Sequence, residues 1–147
     1  MAIALVRETN NHLMKERELM VAFARSINKT YIKLHKFSSV DYALVGDAGK
    51  VVAFVEVKCR KPTMEYMDER GGIFLSSFKW AQAKILCDAC HVPFIFVVSA
   101  EDTKWWHVTK DFQHDGLVVG GRWDRNDERD EEPVILLRKG RFKLIGT

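Results

Sequence analysis

Apolar and polar positions recur along this chain with more than one rhythm, and each rhythm predicts an element. Leu13, Glu16, Met20, Phe23 and Ile27 fall on one stripe at helical spacing, and Thr9-Asn10-Asn11 offers capping residues ahead of them. This predicts a helix to about Ile27 with Glu16 on its inward face. Glu18 lines up instead with Ala22, Arg25 and Lys29, a more solvated face. Tyr31 to Phe37 alternates as a strand does. Val40 to Val45 and Val51 to Lys58 are apolar, β-branched runs separated by Gly46-Asp47-Ala48-Gly49, which predicts a hairpin. Lys61 to Gly72 contains Pro62, Gly71 and Gly72 and reads as a loop. The stretch Tyr66 to Phe74 suits either a mobile cover over a substrate or an ordinary turn. Ser76 or Ser77 caps a second helix to about Cys90, with Phe78, Ala81, Ile85 and Ala89 as its core face. Pro93 to Val98 reads as a buried strand and Lys104 to Lys110 as another. Val134 to Leu137 and Phe142 to Ile145 flank a turn near Lys139-Gly140 and predict a last hairpin. The order α-β-β-β-α-β-β predicts an α/β domain with a mixed sheet.

Composition narrows the class. With 147 residues, 47% hydrophobic and 29% charged, the chain suits one globular domain spanning 1–147. No apolar stretch approaches the roughly 20 residues that a membrane span needs, so no membrane is expected as a partner. Met1 to Val6 is too short an apolar run for a signal peptide, and Arg7 and Glu8 end it, so a cytoplasmic location is expected. Three cysteines in such a chain argue against a disulfide framework. The net charge is +3, but Asp124 to Glu132 holds six acids and two arginines, a net of −4, which leaves +7 on the rest. A basic body with one acidic segment suits a polyanionic partner, although a solvated surface accounts for it equally well.

The chemistry concentrates in Val51-Val52-Ala53-Phe54-Val55-Glu56-Val57-Lys58. An almost wholly apolar strand is expected to be buried on both faces. Glu56 and Lys58, two residues apart, share one face near its end. A carboxylate and an amine at the edge of a core are costly unless paired or bound. Asp41 begins the preceding strand, so in an antiparallel hairpin it comes close to Glu56. Two adjacent carboxylates repel unless a proton or cation lies between them. Hard oxygen donors of this kind suit Mg²⁺ or Mn²⁺, and a lysine beside them could orient or help deprotonate an attacking water. Glu16, a carboxylate within the core stripe of the first helix, also needs a partner; this site or a surface arginine would supply one.

Asp41 followed by Glu56-Val57-Lys58 at the end of an apolar strand resembles the PD-(D/E)xK nuclease superfamily. Met14-Lys15-Glu16-Arg17-Glu18-Leu19 resembles the first-helix motif of its Holliday-junction-resolvase branch, archaeal or viral. The resemblance covers Lys15 to about Ser99 and implies a restriction-endonuclease-like αβββαβ core with a mixed central sheet flanked by helices. It implies a metal held by Asp41, Glu56 and the backbone carbonyl of Val57, with Lys58 at the attacking water. Glu16 maps onto a catalytic glutamate, the residue that helical phase had singled out. Val40 stands where the superfamily's name has proline. The resemblance implies an endonuclease that hydrolyses phosphodiesters of DNA, selective for branched or otherwise irregular structures, with a homodimer as a compatible assembly. A compact nuclease of this kind would suit a virus, and its location would then be the host cytoplasm.

Arg60 and Lys61 continue the strand beyond Lys58 and could hold phosphates, or simply be solvated. Lys79 and Gln82 share a face of the second helix, and the superfamily often presents a lysine or glutamine from there, which favours Lys79. Trp105-Trp106 suggests base stacking less than it suggests one buried and one partly exposed indole. His35, His107 and His114 lack ligand-like spacing and read as structural or surface residues. Cys87-Asp88-Ala89-Cys90-His91 matches a haem-attachment pattern, but without an export signal it reads as buried thiols closing a helix. The competing functional reading is a catalytically silent nucleic-acid-binding protein with a nuclease fold; its intact acids and Lys58 argue against decay.

Overall fold

A computed structural model describes residues 10–35, 38–101, 103–120 and 132–146. Helix α1 (Asn10–Ser26) leads into strand β1 (Thr30–Lys33), followed by β2 (Tyr42–Val45) and β3 (Val51–Arg60). Then come a short helix α2 (Met64–Glu69), β4 (Ile73–Ser76), helix α3 (Ser77–Cys90), β5 (Phe94–Ala100) and β6 (Thr103–Thr109). Strands β7 (Gly116–Gly120), β8 (Glu132–Leu137) and β9 (Lys143–Leu144) complete the chain. Six strands form the central sheet in the order β1-β2-β3-β5-β6-β9; β4, β8 and β7 form a second, smaller sheet. The central sheet is mixed, because β3 and β5 run parallel through the α3 crossover while the other pairs are antiparallel. This is the restriction-endonuclease-like α/β architecture expected from the sequence.

Two apolar layers sandwich that sheet. On one side Leu19, Met20, Phe23 and Ala24 of α1 pack onto Tyr42, Leu44, Ala53, Val55, Val57, Ile95 and Val97. Met20 and Phe23, with the half-buried Ile27, lie on the expected inward stripe; Leu19 and Ala24 join them from beside it, and Leu13 is 36% accessible. On the other side Phe54, Phe96 and Val98 meet Trp80, Ala83 and Cys87 of α3 and Ile73, Leu75, Ile135 and Leu137 of the smaller sheet. β3 lies between the layers, so its side chains alternate between two dry environments. Burying each large aliphatic or aromatic side chain there contributes about 1.5–3 kcal/mol, which outweighs the weak intrinsic preferences of short strands.

Several expectations change. The segment expected as a loop, Lys61 to Gly72, carries α2: Thr63 accepts from the Tyr66 N–H at 3.1 Å, and Met64 and Met67 are buried three residues apart. Tyr66 to Phe74 is thus part of α2 and β4, with Gly71 and Gly72 at φ 111° and 131° making the turn between them. A Cβ on Gly72 would come within 2.6 Å of the Leu137 carbonyl oxygen, so glycine also permits close approach to β8. The core face of α3 is Trp80, Ala83 and Cys87, not Phe78, Ala81, Ile85 and Ala89; Phe78 and Ile85 are 72% and 69% exposed. The Trp80 ring lies 4.9 Å from Phe112 and 6.1 Å from Phe94, and this aromatic cluster sets the helix's rotation.

A C-terminal hairpin is present, but between β7 and β8; Val134–Leu137 does not pair with Phe142–Ile145 as expected, and Lys143–Leu144 joins β6 instead. The first strand ends at Lys33, short of the expected Phe37; the Leu34 N–H turns to the Asp41 carbonyl at 3.0 Å, and Lys36 and Phe37 lie outside the described residues. Thr9 and Asp124 to Glu131 of the acidic segment also lie outside them.

Candidate active site

The β2–β3 hairpin creates the local geometry. Gly46 donates to the Lys50 carbonyl at 2.8 Å, and a short turn over Asp47–Gly49 reverses the chain, with Ala48 and Gly49 at φ 61° and 74°. Tyr42 pairs with Val55, so the residue before β2 comes level with Glu56, past the midpoint of β3. There the Asp41 N–H donates to the Val55 carbonyl at 3.2 Å, and Asp41 Oδ2 accepts from the Val57 N–H at 3.0 Å. The aspartate thereby straddles Glu56 in register.

Glu56 points away from α1 into the second apolar layer and is only 1% exposed. Burial raises its pKa, and the neighbouring Asp41 charge raises it further; Lys58 and Lys79 act in the opposite direction. Lys58 Nζ lies 3.4 Å from Glu56 Oε2. Lys79 Nζ lies 3.2 Å from Oε2 and 3.4 Å from Oε1. Lys79 reaches the carboxylate because α3 begins there: Ser76, held in β4 against Val134 of β8, caps the helix by accepting from the Lys79 N–H at 3.5 Å. The arrangement therefore gathers two acids and two amines past the midpoint of one strand.

The remaining expected residues divide. Glu16 is half-buried on the α1 side of the sheet, and its charge helps push up the pKa values of Tyr42 and Cys59, the former to about 12. Burial is the main cause in both cases, and Asp41 also acts on Tyr42. Tyr42, buried beside Asp41 and not singled out in the sequence, thus feels both carboxylates; its place directly after Asp41 in an apolar run was the available signal. Glu18 lies with Arg17, Val21, Ala22 and Arg25 along a shallow outer groove of α1. Arg60 donates to the Phe74 carbonyl at 3.1 Å and stacks its guanidinium 4.6 Å above that ring, which ties it to β4. Lys61 and Gln82 are exposed.

Trp105 and Trp106 are both half-buried, where the sequence predicts one buried and one partly exposed indole. Trp106 packs 5.6 Å from Phe23, and the Trp105 indole donates to Thr103 Oγ1 at 2.8 Å. His107 is buried, lies 3.1 Å from the Arg141 carbonyl and is held toward its neutral form by burial. Cys87 is buried but Cys90 is exposed, and His91 closes α3 in a left-handed conformation with its N–H on the Cys87 carbonyl.

A family model described as phage putative PDDEXK endonuclease matches residues 5–145. The chain belongs to that family. No curated protein and no solved structure matches it. This membership puts the chain in the PD-(D/E)xK superfamily, a group of nucleases. Among the described residues, no three acidic, histidine or cysteine side chains gather closely enough to hold a metal by themselves. The oxygen-bearing groups brought together past the midpoint of β3 are the Asp41 and Glu56 side chains and the neighbouring backbone. Two mutually repelling carboxylates form a hard donor set that fits a small divalent cation, whose charge would relieve their repulsion.

Proposed function

We propose that this phage-family protein is a divalent-metal-dependent endonuclease that hydrolyses phosphodiester bonds of DNA past the midpoint of β3. The observation that carries this reading is the buried Glu56 carboxylate, level with Asp41 across the hairpin and 3.4 Å from Lys58. Asp41, Glu56 and the Val57 carbonyl would hold Mg²⁺ or Mn²⁺. The cation would supply positive charge at the scissile phosphate. Lys58, anchored two residues along the same strand, orients the attacking water and stabilises charge on the pentacovalent phosphorus. Glu16 would approach from the α1 side, where a second cation or the water could engage it. Lys61, Gln82 and Arg60 flank the same strand end and helix, and contribute cationic and polar contacts to the DNA backbone.

Within that activity we favour a structure-selective enzyme acting on branched DNA such as four-way junctions, with the chain as a single domain that works as a homodimer in the host cytoplasm. This part rests on the likeness of the Met14–Leu19 segment to junction resolvases. The test is incubation with plasmid, single-stranded and four-way-junction DNA in Mg²⁺, Mn²⁺ or EDTA. Cleavage that needs the cation and disappears in Glu56→Ala is expected. Binding of all three DNAs without cutting under any condition would instead identify a silent DNA-binding protein. Cleavage of plasmid and junction at equal rates would remove the structure selectivity while leaving the nuclease.

A further inference from the structure

Two ammonium groups sit on the Glu56 carboxylate, and they reach it differently. Lys58 comes from the same strand, two residues away, and touches Oε2 alone at 3.4 Å. Lys79 comes from the first turn of α3 and spans both oxygens, at 3.2 and 3.4 Å. A carboxylate that is 1% exposed and beside a second acid requires positive charge close by. Lys79 supplies it at the place where a cation would have to sit. A divalent ion and two ammonium groups cannot share one carboxylate without strong mutual repulsion.

We propose that Lys79 is the resting counter-ion of the site: it occupies Glu56 while no divalent ion is bound, and is displaced when one binds. This rests on the metal-dependent reading above and extends it to the order in which charges assemble. Lys79 yields because its ammonium ends a long flexible stem and its side chain is 36% exposed, whereas Glu56 is enclosed. Its backbone stays in place, since Ser76 holds the helix start. The displaced ammonium then lies at the mouth of the site, where a DNA phosphate can take it. Cation and DNA therefore strengthen each other's binding, because the first ion liberates a phosphate contact, and by linkage the reverse holds. In this role Lys79 is a positioning residue, acting on the cation through Glu56.

The test is calorimetric titration of Mn²⁺ into the DNA-free protein, comparing wild type with Lys79→Met and Lys79→Gln, each checked for folding by circular dichroism. Removing the competing ammonium should tighten Mn²⁺ binding about tenfold in both variants. In wild type, Mn²⁺ should tighten binding of a non-hydrolysable phosphorothioate duplex, and in the variants that enhancement should shrink to what the cation's own phosphate contact contributes. Unchanged or weaker Mn²⁺ binding in two folded variants overturns the counter-ion role while leaving the nuclease reading intact. If wild type and both variants all fail to bind Mn²⁺, the metal-dependent reading falls and the counter-ion role falls with it.

Discussion

Asp41 Oδ2 accepts the Val57 N–H at 3.0 Å, so the carboxylate facing Glu56 also closes the end of the β2–β3 hairpin. One side chain therefore carries a charge and a structural bond, and two substitutions separate them. Asn in place of Asp41 retains an oxygen acceptor but loses the charge. Asp41→Asn should reduce DNA cleavage by more than about 100-fold and leave stability within about 1 kcal/mol of wild type. Asp41→Ala should lose the same activity and a further ~1–2 kcal/mol of stability, because the Val57 N–H is left without its partner. Urea denaturation beside a plasmid-nicking assay reads both. Equal stability losses in the two variants would show that the hydrogen bond contributes nothing of its own.

Glu56 gives the opposite balance. Its carboxylate is enclosed, and its pKa is raised by burial first and by Asp41 second. A raised carboxylate pKa favours the protonated form in the folded state. The contribution of Glu56 to the stability of the metal-free protein should therefore be most favourable below the ordinary carboxylate range and be lost as pH rises through the raised value. Glu56→Gln removes that desolvation cost, while Lys58 and Lys79 keep partial access to water. In EDTA at neutral pH the variant should gain on the order of 1 kcal/mol and flatten the pH dependence, with cleavage abolished. A variant less stable than wild type at every pH would mean that the two lysines more than offset the burial of Glu56.

The hairpin and its acids are legible in the sequence because a two-residue rhythm and a glycine-containing turn leave little freedom. Once Val40–Val45 and Val51–Lys58 are paired, Asp41 and Glu56 must come level. Glu16 follows from helical phase to its half-buried position, but not the side of the sheet on which it stands, since that depends on how α1 docks. The smaller sheet is not legible. β4 is only four residues long, and β8 pairs with both β4 and β7 across long stretches of chain. Lys79's grip on Glu56 depends on this sheet, because β4 fixes where α3 begins.

The rotation of α3 shows the same limit from another side. Its sequence carries two apolar stripes, Phe78-Ala81-Ile85-Ala89 and Trp80-Ala83-Cys87, and periodicity alone cannot choose between them. Packing chooses the second, since Trp80 joins Phe94 and Phe112 in one aromatic cluster. Trp80→Ala should then cost ~3–5 kcal/mol, whereas Phe78→Ser and Ile85→Ser should each stay within about 0.5 kcal/mol. Thermal denaturation of the three variants is sufficient. A large loss in Ile85→Ser with a small one in Trp80→Ala would restore the stripe expected from the sequence.

Asp68 ties α2 to the turn after β8. It accepts from Arg138 Nε at 2.9 Å, from Arg138 Nη2 at 3.1 Å and from the Lys139 N–H at 2.7 Å. The Arg138 guanidinium and the Lys139 N–H together hold its pKa down to about 2. A depressed carboxylate pKa contributes stability that is complete above the unfolded value of about 3.9 and disappears as pH falls through the folded one. The carboxylate is partly exposed and open to salt, so its contribution is on the order of 1 kcal/mol. Asp68→Asn keeps the shape but not the charge. The stability difference between wild type and this variant should therefore be constant from about pH 7 to about 4.5, then shrink toward zero near a pH of about 2. High salt should shrink it at every pH. Denaturant melts across that range, read as wild type minus variant, cancel the other carboxylates. A difference that persists unchanged at the acid end would mean that Asp68 acts through packing and not through its charge.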